Sequence, residues 1–108
     1  MVRGFFESSG FSRKMEKLDS PELAIHIEKT LLENPKSGDV IPGLAGIRKV
    51  RIGGQGRGKS GGFRVIYLDL PSRGRIYLLA IYAKREKIDL TSDDKGVLKK
   101  LVEEVKKK

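Results

Sequence analysis

Phe63-Arg64-Val65-Ile66-Tyr67-Leu68-Asp69-Leu70, then Pro71-Ser72-Arg73-Gly74, then Arg75-Ile76-Tyr77-Leu78-Leu79-Ala80-Ile81-Tyr82 is the stretch that decides the fold. β-Branched and aromatic residues crowd both runs, and the proline and glycine between them are turn chemistry. The stretch reads as a hairpin with strands at 62–70 and 75–82. Neither strand alternates apolar with polar as a half-wet strand would. The hairpin is therefore expected at the centre of a sheet, covered on both sides.

Upstream, 47–52 alternates more clearly, with Lys49 and Arg51 on one face, and supplies a third strand. The stretch 36–46, with Pro42, Gly43 and Gly46, reads as a connecting loop. Ser20-Pro21-Glu22 is a helix start: a capping hydroxyl, a proline at the first helical position, then an acid at the positive end of the dipole. Leu23, Ile27 and Leu31 come next at helical spacing, and Asn34-Pro35 ends the run, because a residue before proline avoids the helical region. A shorter helix is expected at 11–18 with Ser12 near its start, and a first strand at 2–8. Downstream, Thr91-Ser92-Asp93-Asp94 resembles a capping box. Val97, Leu98, Leu101, Val102 and Val105 continue it as one stripe, and Lys106–Lys108 complement the negative helix end. The order strand, helix, helix, three strands, helix predicts an α+β fold. Residues 1–108 make one domain, a small antiparallel sheet with two N-terminal helices and a C-terminal helix packed on it.

The composition narrows the partners. The chain has 108 residues, 34% of them charged and 38% hydrophobic, with a net charge of +9. That balance favours RNA, DNA or an anionic membrane over a neutral metabolite. Cysteine is absent, so disulfides and thiolate metal sites are excluded. The N-terminus lacks the apolar core of a signal peptide, and no apolar run reaches membrane-spanning length. A cytoplasmic protein with no membrane partner is expected.

Charge is also unevenly placed. Between Asp39 and Asp69 there is no acidic residue, but there are six cations: Arg48, Lys49, Arg51, Arg57, Lys59 and Arg64. Six of the ten residues from Gly53 to Gly62 are glycine. Within them, Gly53-Gly54-Gln55-Gly56-Arg57-Gly58-Lys59-Ser60 satisfies the P-loop pattern G-x-x-x-x-G-K-S. That pattern works only where a helix begins at the lysine, its amides holding the phosphates. Here Gly61-Gly62 and a strand come next, two glycines that oppose a helix by about 1 kcal/mol each. The stretch reads instead as a flexible hairpin loop carrying cations. If about six cations contact RNA phosphates, affinity falls with salt at a log–log slope of roughly −4.

Among single residues, Arg64 stands out as a charge within an otherwise apolar strand. Such an arginine is costly unless paired or facing a groove, and its fixed fork suits a phosphate. Arg57 and Lys59 on the loop, and Arg48, Lys49 and Arg51 on the strand before it, extend the track. Lys84-Arg85-Glu86-Lys87 succeeds the last strand and can converge with Arg64. Tyr82 lies near a strand end, where its ring could stack on a base. His26 is the only histidine and sits beside the stripe of its helix, so histidine-pair acid–base catalysis is excluded. No cluster has metal-ligand spacing, and no metal or other cofactor is expected.

These residues resemble a known family over nearly the whole chain: the RelE/ParE superfamily of toxin–antitoxin toxins, closest to the HigB type. The resemblance rests on the element order, on 34–41 leading into Gly43-Leu44-Ala45-Gly46-Ile47-Arg48-Lys49, on Gly56–Tyr67 and on Leu79–Glu86. It implies a metal-independent endoribonuclease that enters the ribosomal A site and cleaves messenger RNA by attack of the 2′-hydroxyl on the neighbouring phosphorus. Arg64 matches the family's strand arginine at the scissile phosphate, Arg57 and Lys59 the basic pair before it, and Lys84 and Arg85 the basic residues after the last strand. RelE has a tyrosine a few residues after that last pair, where this chain has Thr91 and no tyrosine beyond Tyr82. HigB-type relatives also lack it, which leaves a lysine such as Lys59 or Lys84 to accept the proton. The resemblance also implies a cognate antitoxin, for HigB types a HigA-like protein with a helix-turn-helix domain, through which alone operator DNA is bound. Two rival readings remain: a ParE-like gyrase inhibitor without nuclease activity, and a plain RNA-binding module.

Overall fold

The computed structural model describes residues 4–53, 62–87 and 89–107. Its elements run β1 (Gly4–Glu7), α1 (Ser9–Leu18), α2 (Pro21–Glu33), β2 (Asp39–Val40), β3 (Arg48–Ile52), β4 (Phe63–Leu70), β5 (Arg75–Ala83) and α3 (Ser92–Lys107). A 3-10 turn at Pro71–Arg73 joins β4 to β5 and closes on Gly74, which takes the left-handed backbone conformation. One five-stranded sheet results, in the order β1-β5-β4-β3-β2.

The β4–β5 hairpin is central and covered on both faces, as its composition requires. On one face Val50, Ile52, Val65, Tyr67, Ile76, Leu78 and Ile81 pack with Phe11 of α1 and with Leu23, Ile27 and Leu31 of α2. On the other, Ile47, Ile66, Leu68, Leu79 and Tyr82 pack with Leu98 and Val102 of α3. Fully burying each large aliphatic or aromatic side chain contributes about 1.5–3 kcal/mol, so two such layers around one hairpin supply the main drive to fold. The β4–β5 register slips between Ile66 and Tyr67, whose partners are Ala80 and Leu78. Leu79 is thus the extra residue of a β-bulge, and it joins the α3-side core.

The sheet is mixed rather than antiparallel. β2, β3, β4 and β5 are antiparallel in turn, but β1 runs parallel to β5, with Gly4 opposite Arg75 and Glu7 opposite Leu78. Ser8, at the junction of β1 and α1, fixes this direction: its hydroxyl donates to the Leu79 carbonyl at 2.7 Å and accepts from the Phe11 amide at 3.0 Å. Ser8 is therefore the cap of α1, which begins earlier than expected, while the Ser12 hydroxyl donates to Glu7 at 2.7 Å. The stretch read as a loop also contains β2, whose two residues pair with Lys49 and Arg48.

α2 forms as its sequence dictates, with the Ser20 hydroxyl accepting from the Leu23 amide and Pro21 opening the helix. The capping box of α3 is reciprocal. The Thr91 hydroxyl accepts from the Asp94 amide at 3.1 Å, and the Asp94 carboxylate accepts from the Thr91 amide at 2.9 Å. α3 then runs back along the sheet to the β4–β5 turn, where the Arg73 guanidinium donates to the carbonyls of Val105 and Lys106 at 2.7 and 2.9 Å. Leu98 and Val102 are buried, whereas Val97, expected in the same stripe, falls on the rim at 60% exposure. Among the described residues no helix is long and apolar enough to cross a membrane.

Candidate nucleic-acid interface

Where β3 ends, β4 begins and β5 ends, one row crosses three strands: Arg51 stands opposite Arg64, and Arg64 opposite Tyr82. Strand alternation puts Val50 and Ile52 into the core under α1 and α2. Lys49, Arg51, Arg64 and Tyr82 therefore share the other face, the one on which α3 packs. Arg51 is exposed, Lys49 and Arg64 are half-buried, and Tyr82 is buried. Two guanidinium groups opposite each other on one face oppose folding. An anion between them would relieve that repulsion.

One carboxylate before α3 meets this row and one in the first turn of α3 meets its neighbour Lys87. Lys49 Nζ lies 3.3 Å from Asp89, and Lys87 Nζ lies 3.0 Å from Asp94. The Leu90 amide, aided by Lys49, holds the Asp89 carboxyl below its usual range. The Thr91 amide, aided by Lys87, does the same for Asp94. Lys87 Nζ also sits over the Tyr82 ring, 5.6 Å from its centroid. Burial pushes the Tyr82 phenol up, Asp89 adds to the effect, and Arg64 opposes it. Glu86 fixes the turn after β5 by accepting from the Ala83 amide at 2.8 Å and from Lys14 of α1 at 2.6 Å. Lys14 chiefly, and then that amide, lower its pKa.

Four of the residues expected at the site, Lys49, Arg51, Arg64 and Tyr82, are thus brought together. Lys84 and Arg85 are exposed in the turn after β5, and the Lys84 amide donates to the Gly62 carbonyl at 3.3 Å, which sets that turn beside the start of β4. Arg57 and Lys59 lie outside the described residues. Arg48 does not join the row. It faces the α1–α2 side opposite Tyr67, and its guanidinium donates to the Gly38 carbonyl at 2.7 Å. The Tyr82 ring is 5% exposed, so a base can stack on it only after its cover has moved. His26 lies across the sheet on α2, in a shallow groove with Glu22, Ile25, Lys29 and Glu33.

Sequence reasoning placed Lys87 in the basic run that could converge with Arg64 but gave it no role of its own. It also read Asp94 only as a cap, where the carboxylate serves Lys87 as well. The P-loop reading meets a further obstacle, since β3 and β4 are antiparallel neighbours with Ile52 opposite Phe63. A phosphate-binding crossover requires parallel strands.

Comparison with known proteins agrees with this architecture. The family model described as the RelE toxin of RelE/RelB toxin–antitoxin systems matches residues 10–108. The free E. coli toxin RelE, in a double arginine-to-alanine variant, superposes with a TM-score of 0.58 at 15% identity, over 81% of this chain and 88% of that one. A chain of the intact E. coli RelBE toxin–antitoxin complex gives a TM-score of 0.56 at 15% identity, over 76% of this chain and 96% of its own length. At such identities the likeness to the solved structures is one of fold.

Proposed function

The chain belongs to the RelE toxin family, and on that premise we propose that it is an endoribonuclease of a type II toxin–antitoxin system, acting in the cytoplasm on messenger RNA in the ribosomal A site. The observation that carries the reading is the row Arg51–Arg64 beside Lys49 on one sheet face. Cations that converge there stabilise charge as it develops on a reacting phosphate.

In the reaction, the ribose 2′-oxygen attacks the adjacent phosphorus while its proton passes to a base. The 5′-oxygen leaves and takes up a proton, giving a 2′,3′-cyclic phosphate and a free 5′-hydroxyl. Arg64 grips the non-bridging oxygens with its fork, and Arg51 and Lys49 add to the positive field. Arg85 and Lys87 approach from the turn after β5 and add to that field. A lysine, Lys84 or Lys59, serves as proton acceptor. Arg57 and Lys59, the basic pair just before Arg64, act with it at the scissile phosphate.

The partner is a cognate antitoxin, in this reading of the HigA-like helix-turn-helix kind, which alone carries the operator contact and keeps the toxin from the A site. The paired arginines favour RNA cleavage over ParE-like gyrase inhibition, because poisoning a topoisomerase needs no phosphate-activating centre. Expression of wild type and Arg64→Ala in cells, with mapping of RNA 5′ ends, tests the proposal. Growth arrest with cuts in translated messengers, both lost in a folded Arg64→Ala, is the expected result. DNA damage without cuts, or undiminished cutting by Arg64→Ala, overturns it.

A further inference from the structure

Among the described residues, Tyr82 Oη is the only buried side-chain polar atom without a hydrogen-bond partner. The other two tyrosines use theirs. Tyr67 Oη accepts from the Gly38 amide at 3.0 Å and donates to the Pro35 carbonyl at 2.7 Å, and Tyr77 Oη accepts from Arg75 at 3.1 Å. A buried hydroxyl that makes no bond costs free energy, and phenylalanine would fill the same core without that cost. Yet the hydroxyl belongs to the residue directly opposite Arg64.

The cover over this ring includes Lys87, a charge on a flexible four-carbon stem, held 3.0 Å from Asp94. Asp94 itself is anchored, since its carboxylate also accepts from the Thr91 amide. Lys87 is therefore the part that can leave. A phosphate, which carries formal charge and several acceptor oxygens, competes with Asp94 for that ammonium.

We propose that Tyr82 Oη is a phosphodiester-binding group held in reserve: when an RNA phosphate draws Lys87 from Asp94, the uncovered hydroxyl donates a hydrogen bond to a non-bridging oxygen of the phosphate that Arg64 holds. The inference rests on the RNA-binding reading of the row. A phenol is protonated, and so a donor, at neutral pH at its ordinary value of 10.0, and burial in the free protein pushes it higher still. Tyr82 then acts through its hydroxyl rather than by stacking its ring.

The substitution Tyr82→Phe removes that atom and nothing else. Thermal unfolding of the free protein is measured beside its affinity for an oligoadenylate RNA and for the DNA strand of the same sequence, each at low and high salt. The expected result is an unchanged or raised melting temperature in Tyr82→Phe, with affinity for both strands about tenfold weaker, the scale of one hydrogen bond to a charged acceptor. A lowered melting temperature would mean that the hydroxyl already has a partner in the free protein, and unchanged affinity would mean that it never gains one; either overturns the proposal. Weakening confined to RNA moves the bond to a sugar hydroxyl and overturns it too. Failure of the underlying reading looks different: wild type itself binds neither strand, or binds with no dependence on salt.

Discussion

Arg51 and Arg64 stand directly opposite one another across the β3–β4 ladder, on the sheet face shared with Lys49 and Tyr82. Like charges so placed oppose folding by about 0.2–1 kcal/mol. Arg51→Gln keeps a long polar side chain and removes one charge. It is expected to raise stability by a few tenths of a kcal/mol, on the scale of that pairing, and to lower RNA affinity. Thermal unfolding at low and high salt checks this, because the gain should shrink as salt screens the repulsion. A variant that loses stability at low salt would show that something other than repulsion governs the pair.

Tyr67 makes the opposite prediction from Tyr82 under the same substitution. Its hydroxyl bridges the Pro35 carbonyl and the buried Gly38 amide. Tyr67→Phe leaves that amide without a partner, at a cost of about 1–3 kcal/mol. Gly38→Ala should also destabilise, since its Cβ would lie 2.8 Å from the Lys49 carbonyl oxygen and 2.9 Å from its carbon, both backbone atoms. Urea midpoints for the two variants measure this. Either one unfolding as late as wild type would show that the 35–38 segment is not held in this way.

Acid should loosen the cover over Tyr82. The Asp94 carboxyl titrates below its ordinary value of 3.8 in the folded chain, through the Thr91 amide first and Lys87 second. A group whose folded pKa is lowered stabilises the fold above its unfolded pKa, and that stabilisation is lost as pH falls through the folded value. Glu86, lowered from 4.5 mainly by Lys14, acts in the same direction. Both carboxylates are partly exposed, so each effect is modest. Asp94→Asn is expected to unfold earlier than wild type at neutral pH, and the gap should close once the medium is acidic enough to protonate Asp94 in the wild type. A gap that persists in acid would assign the loss to helix capping rather than to charge.

Much of the fold was legible in the chain because local chemistry and burial agree there. Ser20-Pro21 starts α2, and Leu23, Ile27 and Leu31 bury the face that their spacing defines. Val65 to Leu68, apolar at every position, occupy the covered hairpin strand. The direction of β1 was not legible, because period-two patterning reads the same for parallel and antiparallel neighbours. Ser8 was read as the end of a strand and Ser12 as the helix start, because the cap shows only in the bond that the Ser8 hydroxyl accepts from the Phe11 amide. Asp39–Val40 carry too few residues for any period to show. At the site, charge clustering grouped Arg48 with Lys49 and Arg51, although alternation already assigned Arg48 to the other face. The Lys87–Tyr82–Asp94 arrangement depends on where α3 begins relative to β5, a tertiary relation that no spacing encodes.

Arg48 and Arg51 therefore offer a contrast that charge alone cannot predict. Each phosphate contact on single-stranded RNA steepens the log–log dependence of affinity on salt by about 0.7. Arg51 is exposed beside Arg64, so Arg51→Gln should make the slope shallower by roughly that amount. Arg48 is turned to the α1–α2 side and spends its guanidinium on the Gly38 carbonyl at 2.7 Å. Arg48→Met keeps the apolar stem but loses that bond. It should lower stability by about 0.5–1.5 kcal/mol and leave the slope as it is. Titrating RNA binding over a range of salt for the two variants and wild type separates the cases. If Arg48→Met flattens the slope as much as Arg51→Gln does, the sheet face defined by Lys49, Arg51 and Arg64 is not the RNA surface.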